Sequence, residues 1–316
     1  MRALVLSASG LKFQPDYKEN PIPGQIPIRV LRAGICETDL QLVRGYMGFH
    51  GVLGHEFVGI AEEGKYAGQR VVGEINASCR NCKTCGQGRT THCPHRTVLG
   101  ILNHDGAFAD RIWLPECNLH PVPDHVSNDA AVFTEPLAAA FQIPAQIDLS
   151  RFSSIIVLGD GRLGNLCSQV IAQSHSDLLV IGKHPQKLAR LSGLGIRTAL
   201  IHELTEPHIA DLVVDCTGSA SGFKDACRLV RPRGTIVLKT TVAGDQGPSL
   251  AGVVIDELNV VGSRCGPFAP ALAAIASGQI HVENLITSRF PLESGVQAME
   301  VAGAKDQFKV ILDIAE

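Results

Sequence analysis

Apolar residues follow two different patterns along the chain, and the change comes near Thr134. Before that point, glycine and proline separate short β-like runs of residues, as in Ile28–Leu31 and Gln69–Val72. Short runs of this kind between irregular connections are typical of a β-rich domain. At Thr134 the chain enters an alanine-rich run with an early proline, which predicts the start of a helix.

Beyond Ser154, continuous apolar runs alternate with helical patterns. Continuous apolar runs predict parallel strands, because both faces of a parallel sheet are buried. The predicted strands are Ile155–Leu158, Leu178–Ile181, Leu212–Asp215, Thr235–Leu238 and Asn259–Gly262. The predicted helices among them are Leu163–His175, Pro185–Leu191 and Ser221–Val230. Repeated strand and helix units of this length indicate a doubly wound parallel sheet.

The end of the chain predicts one more helix, Ala269–Ser277, and a final strand, Phe308–Leu312. A length of 316 residues has room for about two domains. We expect the final strand to return to the first domain and make it discontinuous. The predicted organisation is therefore a β-rich domain of residues 1–140 and 276–316 around an α/β domain of residues 141–275.

Composition narrows the class of protein. With 45% hydrophobic and 19% charged residues, the chain is typical of a soluble globular protein. A net charge of -3 provides no basic surface for nucleic acid or an anionic membrane. No apolar run approaches the roughly 20 residues that span a bilayer. The N-terminus has none of the features of a signal peptide, so we expect a cytoplasmic protein.

Four of the ten cysteines lie close together in a polar stretch that contains glycine. They are Cys79, Cys82, Cys85 and Cys93, separated by two, two and seven residues. Thiolates joined by such short loops can converge on one tetrahedral zinc ion, which leaves no open position for a substrate. The spacing therefore predicts a structural zinc site, and the alternative is a reduced loop without metal.

Three further residues that could bind a metal come from separate motifs. Cys36 lies in Gly-Ile-Cys-Glu-Thr-Asp, His55 in Gly-His-Glu-Phe-Val-Gly, and Glu135 in Thr-Glu-Pro-Leu. Taken singly, each has a purely structural explanation. Cys36 is then a small core residue, His55 a buried and hydrogen-bonded histidine, and Glu135 a charge at a helix start.

A glycine-rich turn follows the predicted strand Ile155–Leu158 and opens a helix. The turn consists of Gly159, Asp160, Gly161, Arg162, Leu163 and Gly164. Its glycines permit a tight turn and close backbone approach, and a helix N-terminus attracts a pyrophosphate. Between a buried strand and a helix, this motif predicts a dinucleotide site.

The end of the second predicted strand bears on the choice of dinucleotide. An acidic residue there is typical of NAD sites, but the chain has Gly182, Lys183 and His184. Since Lys183 could pair with a 2′-phosphate, the sequence favours NADP(H); otherwise Lys183 is a solvated lysine and both cofactors bind. Further contacts are expected where later strands end, at Cys216, Thr217, Lys239, Thr240 and Ser263.

Together these motifs resemble the zinc-containing medium-chain dehydrogenases over essentially the whole chain. The polyol, glucose and threonine branches are more similar than the liver-type enzymes, which have a cysteine where this chain has Glu135. The resemblance implies a GroES-like β-rich catalytic domain and a Rossmann domain. It also implies hydride transfer between NAD(P) and a small alcohol or polyol, or its aldehyde or ketone.

The family's metal ligands have counterparts here. The resemblance implies that Cys36, His55 and Glu135 hold a catalytic zinc ion, with a fourth position open to water or substrate. Glu56 would coordinate in some states or assist water exchange. Asp39 would orient the ring of His55.

The resemblance also implies a proton path and a further cofactor contact. Thr38 matches the hydroxyl that binds the reacting alcohol, and Lys309 matches a basic residue that reaches the pyrophosphate. Two positions depart from the family pattern. Gln41 replaces a relay histidine, and Glu37 replaces a basic residue of the liver-type enzymes; the sequence offers no physical reason for this glutamate.

Other functions fit the sequence less well. A nicotinamide-binding regulatory or structural protein would be expected to have lost ligands from the open site, but Cys36, His55 and Glu135 are all present. A zinc-free quinone or enoyl reductase would lack both metal motifs. Relatives form homodimers or homotetramers by joining their Rossmann sheets, so we expect the same here.

Overall fold

The computed structural model describes residues 1–240 and 249–315, apart from the side chain of Ala220. The chain divides into two compact units, Met1–Glu135 with Phe268–Glu316, and Pro136–Pro267. The domain ranges predicted from the sequence place the two divisions slightly later, after residues 140 and 275.

The described elements follow one another in this order along the chain. The strands are β1 (Ala3–Ser7), β2 (Gly10–Gln14), β3 (Ile26–Gly34), β4 (Gly51–Val52), β5 (Glu56–Ala61), β6 (Arg70–Gly73), β7 (Asn76–Ala77), β8 (Thr97–Val98), β9 (Arg111–Leu114), β10 (Leu119–Pro121), β11 (Ile155–Leu158), β12 (Leu178–Gly182), β13 (Arg197–Leu200), β14 (Ala210–Asp215), β15 (Val230–Leu238), β16 (Asn259–Gly262), β17 (Ile286–Pro291) and β18 (Lys309–Asp313). The helices are α1 (Glu37–Val43), α2 (Lys83–Gly86), α3 (Asn128–Val132), α4 (Thr134–Gln146), α5 (Arg162–Ala172), α6 (Pro185–Ser192), α7 (Ala220–Leu229), α8 (Ala251–Ile255), α9 (Phe268–Ala276) and α10 (Gly295–Ala302).

The first unit is organised around one mixed sheet. Its strands lie in the order β10-β6-β5-β3-β18-β17, and β9 also pairs with β3. A smaller sheet has the order β2-β1-β4. The last strand, β18, pairs antiparallel with β3 so that Leu312 lies opposite Ala33. The C-terminus of the chain is thus built into the sheet formed by its N-terminal half.

Large apolar side chains fill the interior of this unit. Phe108, Phe133, Phe308, Ile28 and Leu114 are each less than 2% exposed. They come from distant parts of the sequence and meet in one interior. Burial of this apolar surface holds together a unit whose individual strands are short.

The second unit is the doubly wound parallel sheet that the sequence predicts, so the predicted fold class is confirmed. Its strand order is β13-β12-β11-β14-β15-β16. From β11, the next strands along the chain, β12 and β13, lie on one side, and β14, β15 and β16 lie on the other. The loops after β11 and β14 therefore run in opposite directions, which leaves a crevice between them. In β11 all four residues are buried, as a central strand covered on both faces requires.

The register of this sheet determines which residues meet at its carboxyl edge. Leu158 at the end of β11 pairs with Ile181 of β12 and with Asp215 of β14. The turn after β11 therefore lies between the ends of β12 and β14. This alignment brings the glycine-rich turn next to two of the strand ends that the sequence singles out.

Two details of the second unit differ from the sequence prediction. Strand β13 is an additional edge strand; its residues are half-buried or exposed, so it has no continuous apolar run. Strand β15 begins at Val230, earlier than the predicted Thr235. Among the described residues, none of the helices combines the length and the hydropathy needed to cross a membrane.

We predict that Gly54→Ala destabilises the first unit more than Gly10→Ala does. Both glycines have a left-handed backbone, with φ of +97° and +96°. A Cβ at Gly54 would lie 2.3 Å from the ring of Phe108, whereas one at Gly10 would have no atom within 4 Å.

Both variants carry the same conformational strain, about 1 kcal/mol. Gly54→Ala should cost about 1–3 kcal/mol more through overpacking. Urea unfolding of the two variants measures the difference. Equal losses of unfolding free energy would show that the Phe108 contact is not tight.

Candidate functional site

The four clustered cysteines meet in the first unit. All four sulphur atoms lie within 4.8 Å of one another. The Sγ atom of Cys82 lies 3.6 Å from that of Cys85 and 3.8 Å from that of Cys93, and Cys93 lies 3.4 Å from Cys79. A zinc–sulphur bond of about 2.3 Å gives a tetrahedron with edges of about 3.8 Å. The cluster therefore has the dimensions of a tetrahedral metal site.

The pKa values of two cysteines in this cluster are shifted in opposite directions. Burial acts to raise the pKa of Cys93, but backbone amides at Cys79 and His95 and the neighbouring thiols lower it to about 6. Burial and the neighbouring thiols raise the pKa of Cys85 to about 11. The thiolate is the form of cysteine that binds a metal, so the lowered pKa of Cys93 favours metal binding.

A second group of metal-binding side chains lies in the same unit. It joins Cys36, His55 and Glu56, whose ligand atoms lie within 4.8 Å of one another. Cys36 is the N-cap residue of α1, and Glu56 begins β5 directly after His55. His55 is 3% exposed and Glu56 is 1% exposed. The group is therefore largely shielded from solvent.

The carboxylate of Asp39 holds two of these elements together. Its Oδ2 atom accepts the Cys36 backbone N–H at 2.8 Å, and its Oδ1 atom accepts that of Gly54 at 3.2 Å. Oδ1 also lies 3.3 Å from Nδ1 of His55. Asp39 is fully buried. It occupies the position three residues into α1, where a side chain can cap the helix start.

Glu56 forms a buried ion pair with Lys309 of β18. Lys309 is 1% exposed; its Nζ atom also donates to the carbonyl of Ile35 at 3.4 Å and lies 5.5 Å from the ring centre of Phe133. Gly34 makes room for the pair, because a Cβ there would lie 2.5 Å from Glu56 Oε2. One carboxylate oxygen of Glu56 is thereby committed to the ion pair.

The other carboxylate oxygen, Glu56 Oε1, is buried without a hydrogen-bond partner among the described residues. Burial acts to lower the pKa of His55, but the negative charges of Asp39 and Cys36 outweigh it and raise that pKa well above its usual value. The group therefore favours positive charge. A thiolate, an imidazole and a carboxylate oxygen are also the donors that zinc prefers, so the residues fit a metal ion.

Glu135 is not one of the three residues that form this group. It is in the first turn of α4 and half-buried, and its carboxylate is not among the ligand atoms that meet at Cys36, His55 and Glu56. Its role as a ligand stays a prediction. The hydroxyl of Thr38 lies 3.9 Å from the sulphur of Cys36.

Gln41 is directed along its own helix. Its side-chain amide donates to Glu37 at 2.9 Å, one turn earlier. Glu37 also lies 3.9 Å from Arg44 in an exposed ion pair. Both residues that depart from the family pattern therefore interact with each other on the outer face of α1.

The glycine-rich turn in the second unit has the tight geometry that its glycines predict. Gly159 has φ of +122°, and a Cβ there would lie 2.9 Å from the backbone of Cys216. A Cβ at Gly164 would lie 2.0 Å from the carbonyl of Gly159. Gly161 is the N-cap residue of α5, which begins at Arg162 and continues through Leu163. Backbone N–H groups at such a helix start can bind an anion.

Asp160 of this turn contacts the end of β12. Its carboxylate accepts the backbone N–H groups of Lys183 and His184, both at 2.7 Å. Gly182 lies directly beside it. The premise that no carboxylate stands at this strand end is therefore wrong, although Lys183 and His184 are exposed there as expected.

The ends of β14 and β15 lie beside each other and are joined by hydrogen bonds. Thr217 donates to Asp215 from its hydroxyl at 2.8 Å, and the backbone N–H of Gly218 donates to the Thr240 hydroxyl at 3.1 Å. Cys216 is buried against the glycine-rich turn. These residues border the crevice edge of the sheet, where cofactor contacts were expected.

The ammonium group of Lys239 is held by hydrogen bonds to other groups of the protein. Its Nζ atom donates to the carbonyl of Ala139 at 2.6 Å, the hydroxyl of Ser263 at 3.1 Å and the carbonyl of Arg264 at 3.2 Å. Lys239 and Ser263 are each 9% exposed. The lysine satisfies three acceptors and fixes the ends of β15 and β16.

Sequence reasoning missed two of these relations. It assigned Lys309 to a pyrophosphate, but the structure places its ammonium beside Glu56 inside the first unit. It treated Asp160 only as one residue of a turn. A charged residue in an otherwise apolar strand was the available signal for Lys309, and no local signal indicated its partner 253 residues away.

Comparison with known proteins agrees with this arrangement. Residues 22–124 match the family described as alcohol dehydrogenase GroES-like domain. The sorbitol dehydrogenase of Halalkalibacterium halodurans is 29% identical, with 99% of each chain covered. The similarity therefore extends well beyond the matched domain.

Solved structures share the whole fold. An alcohol dehydrogenase from Thermus sp. ATN1 is 27% identical and superposes with a TM-score of 0.87, covering 99% of both chains. A zinc-binding dehydrogenase structure from Sinorhizobium meliloti, bound to NADP, has a TM-score of 0.88 at 25% identity and the same coverage. Each of these similarities covers 99% of this chain.

We predict that Cys82→Ser removes one metal ion per chain and lowers Tm by about 10 °C or more, because a closed metal site contributes folding free energy. The measurements are elemental analysis and thermal unfolding. Cys117→Ser is the matched control, since Cys117 is an exposed cysteine of the same unit. Unchanged metal content in the Cys82 variant would contradict the tetrahedral site.

We predict that Lys309→Met costs about 3–5 kcal/mol of unfolding free energy, because it leaves the Glu56 charge buried without its partner. The double variant Glu56→Gln with Lys309→Met should recover most of that loss, as measured by chemical denaturation.

An exposed ion pair provides the control. Arg197 and Asp177 are 61% and 54% exposed, so Arg197→Met should cost at most about 1 kcal/mol. If the Lys309 and Arg197 variants lost the same stability, the Glu56 pair would not be a buried one.

Proposed function

We propose that this chain is a zinc-type medium-chain dehydrogenase/reductase. It would be an oxidoreductase that transfers a hydride between a small alcohol or polyol, or its carbonyl form, and a nicotinamide dinucleotide. The observation that carries the proposal is the group formed by Cys36, His55 and Glu56. These side chains offer donor atoms that suit a metal, His55 and Glu56 are buried, and Glu56 Oε1 has no hydrogen-bond partner among the described residues.

We assign a catalytic zinc ion to this group. Cys36 and His55 would be constant ligands, and Asp39 would fix the orientation of the histidine ring. Glu135 is included as a third ligand because of its motif, with Glu56 as the alternative one. The ion pair with Lys309 is a physical reason for Glu56 to leave the metal, since the lysine offers it another partner.

The chain's own residues also handle the proton of the substrate. When bound, zinc stabilises negative charge on an alcohol oxygen and the nicotinamide ring accepts hydride. The Thr38 hydroxyl lies 3.9 Å from the sulphur of Cys36 and would accept a hydrogen bond from the alcohol, passing its own proton outward as it receives that of the alcohol. Gln41 cannot take up a proton at neutral pH and already bonds to Glu37, so it would not continue this path.

The cysteine cluster has a different assignment. Four thiolates at tetrahedral separations fill the coordination of one zinc ion, so this site braces the first unit and takes no part in the reaction.

The relatives support the substrate class. A sorbitol dehydrogenase and an alcohol dehydrogenase resemble the chain over its whole length, and their names share the oxidation of an alcohol. A relative bound to NADP supports a nicotinamide dinucleotide. A non-catalytic regulatory or structural role has no support from these relatives. The cytoplasmic location and a homodimeric or homotetrameric state expected from the sequence are part of the same proposal.

The proposal is tested by metal content and turnover in one preparation. We expect about two zinc ions per chain, turnover of at least one alcohol or polyol in a panel assayed with NAD and NADP, and a mass above 33.7 kDa by light scattering. Cys36→Ser should lower kcat/KM by at least about a hundredfold. It should retain one zinc ion and dinucleotide binding.

Other results would point elsewhere. One zinc ion per chain and no turnover with any substrate of the panel would leave only the cysteine cluster and remove the enzymatic assignment. A fully active Cys36→Ser variant would exclude Cys36 as a ligand of the catalytic metal. If light scattering gave the mass of a single chain, the proposed homodimer or homotetramer would be contradicted.

A further inference from the structure

The cofactor site contains a carboxylate in an unusual sequence position. Asp160 belongs to the glycine-rich turn after β11, yet its side chain lies at the end of the neighbouring strand β12. Gly159 N–H bonds to the carbonyl of Ile181 at 2.8 Å, which holds the turn beside that strand end. The side chain of Asp160 is about 10% exposed.

This carboxylate is held rigidly. Its Oδ2 atom accepts two backbone N–H groups at 2.7 Å, from Lys183 and His184. The Nδ1 atom of His184 lies 3.1 Å from both carboxylate oxygens and donates to them, since an ionised carboxylate only accepts. A charge with this many donors has a fixed position and a low cost of burial.

Gly182 is the residue that the arrangement requires. A Cβ at Gly182 would lie 2.4, 2.6 and 2.7 Å from Oδ2, Cβ and Cγ of Asp160. The Asp160 side chain thus occupies the space that a side chain at 182 would need. Residue 182 is the place where dinucleotide folds carry the acid that binds the ribose.

We propose that Asp160 is the specificity-determining carboxylate of the adenosine-ribose site and makes this site select NAD(H) over NADP(H). The inference rests on the proposed function, which supplies the dinucleotide. A carboxylate at this strand end accepts hydrogen bonds from the ribose hydroxyls and repels a 2′-phosphate. Because this carboxylate comes from the glycine-rich turn and not from the end of β12, the sequence pattern does not reveal it.

Positive charge near the strand end acts in the opposite direction. Lys183 and His184 are exposed, and Lys187 is half-buried one turn later. The lysine ammonium is a strongly hydrated charge on a flexible stem, whereas the carboxylate is fixed and shielded from solvent. The fixed charge therefore determines the selectivity, and the sequence-based preference for NADP(H), which relied on Lys183, is reversed.

The test measures binding without turnover. Isothermal titration of the zinc-loaded full chain gives Kd for NADH and NADPH. We expect wild type to bind NADH at least about tenfold more tightly, and Asp160→Asn to reduce that ratio at least about tenfold, chiefly by tighter NADPH binding. Circular dichroism monitors the fold of each variant.

If Asp160→Asn folds poorly, a second test moves the carboxylate from residue 160 to residue 182. Asp160→Gly alone should lose selectivity. Asp160→Gly combined with Gly182→Asp should restore it, because glycine at residue 160 also removes the Cβ atom that would lie 2.6 Å from a Cβ at residue 182. The matched control is Asp177→Asn, which removes a carboxylate just before the opposite end of the same strand and should leave the ratio unchanged.

Distinct outcomes separate the two proposals. If wild type bound NADPH more tightly than NADH, or if Asp160→Asn changed both Kd values by the same factor, the specificity role would be overturned and Asp160 would only brace the loop. If wild type bound neither dinucleotide, the proposed function itself would fail.

Discussion

The buried carboxylate of Asp39 is the contact on which the metal-binding group depends. It accepts backbone hydrogens from Cys36 and Gly54 and lies against the ring of His55. One side chain thus fixes the start of α1, the loop before β5 and the ring of His55 at the same time. Because a fully buried carboxylate is costly unless every donor is in place, it forces these segments into one arrangement. Gly54, whose φ is +97° and whose α-carbon faces Phe108, is part of the same constraint.

Asp160 applies the same principle in the second unit. There a carboxylate carried by one loop binds two backbone N–H groups of another and is enclosed by a glycine. In both units an aspartate converts a flexible connection into a defined edge of a site. The proposed ribose contact and the proposed histidine orientation are consequences of this bracing, since a carboxylate that is already fixed loses little freedom when a ligand arrives.

The Glu56–Lys309 pair links the proposed catalytic site to the C-terminal strand. Strand β18 enters the first unit beside β3, and Lys309 at its start is enclosed with Glu56 and the ring of Phe133. A buried ion pair contributes little net stability, but removing one partner is strongly destabilising. The pair therefore ties the position of the C-terminal strand to that of Glu56.

The sequence by itself determined the fold class, the cysteine cluster and the glycine-rich turn, because each depends on periodicity or on residues close together in the chain. Continuous apolar runs specified the parallel strands, and short spacings specified the cluster and the turn. The tertiary structure alone decided that Lys309 faces Glu56 and that Asp160 occupies the side-chain space of Gly182. It also decided that Glu56 lies with Cys36 and His55. Contacts of this kind depend on strand order and register, which join residues far apart in the chain and leave no local pattern in the sequence.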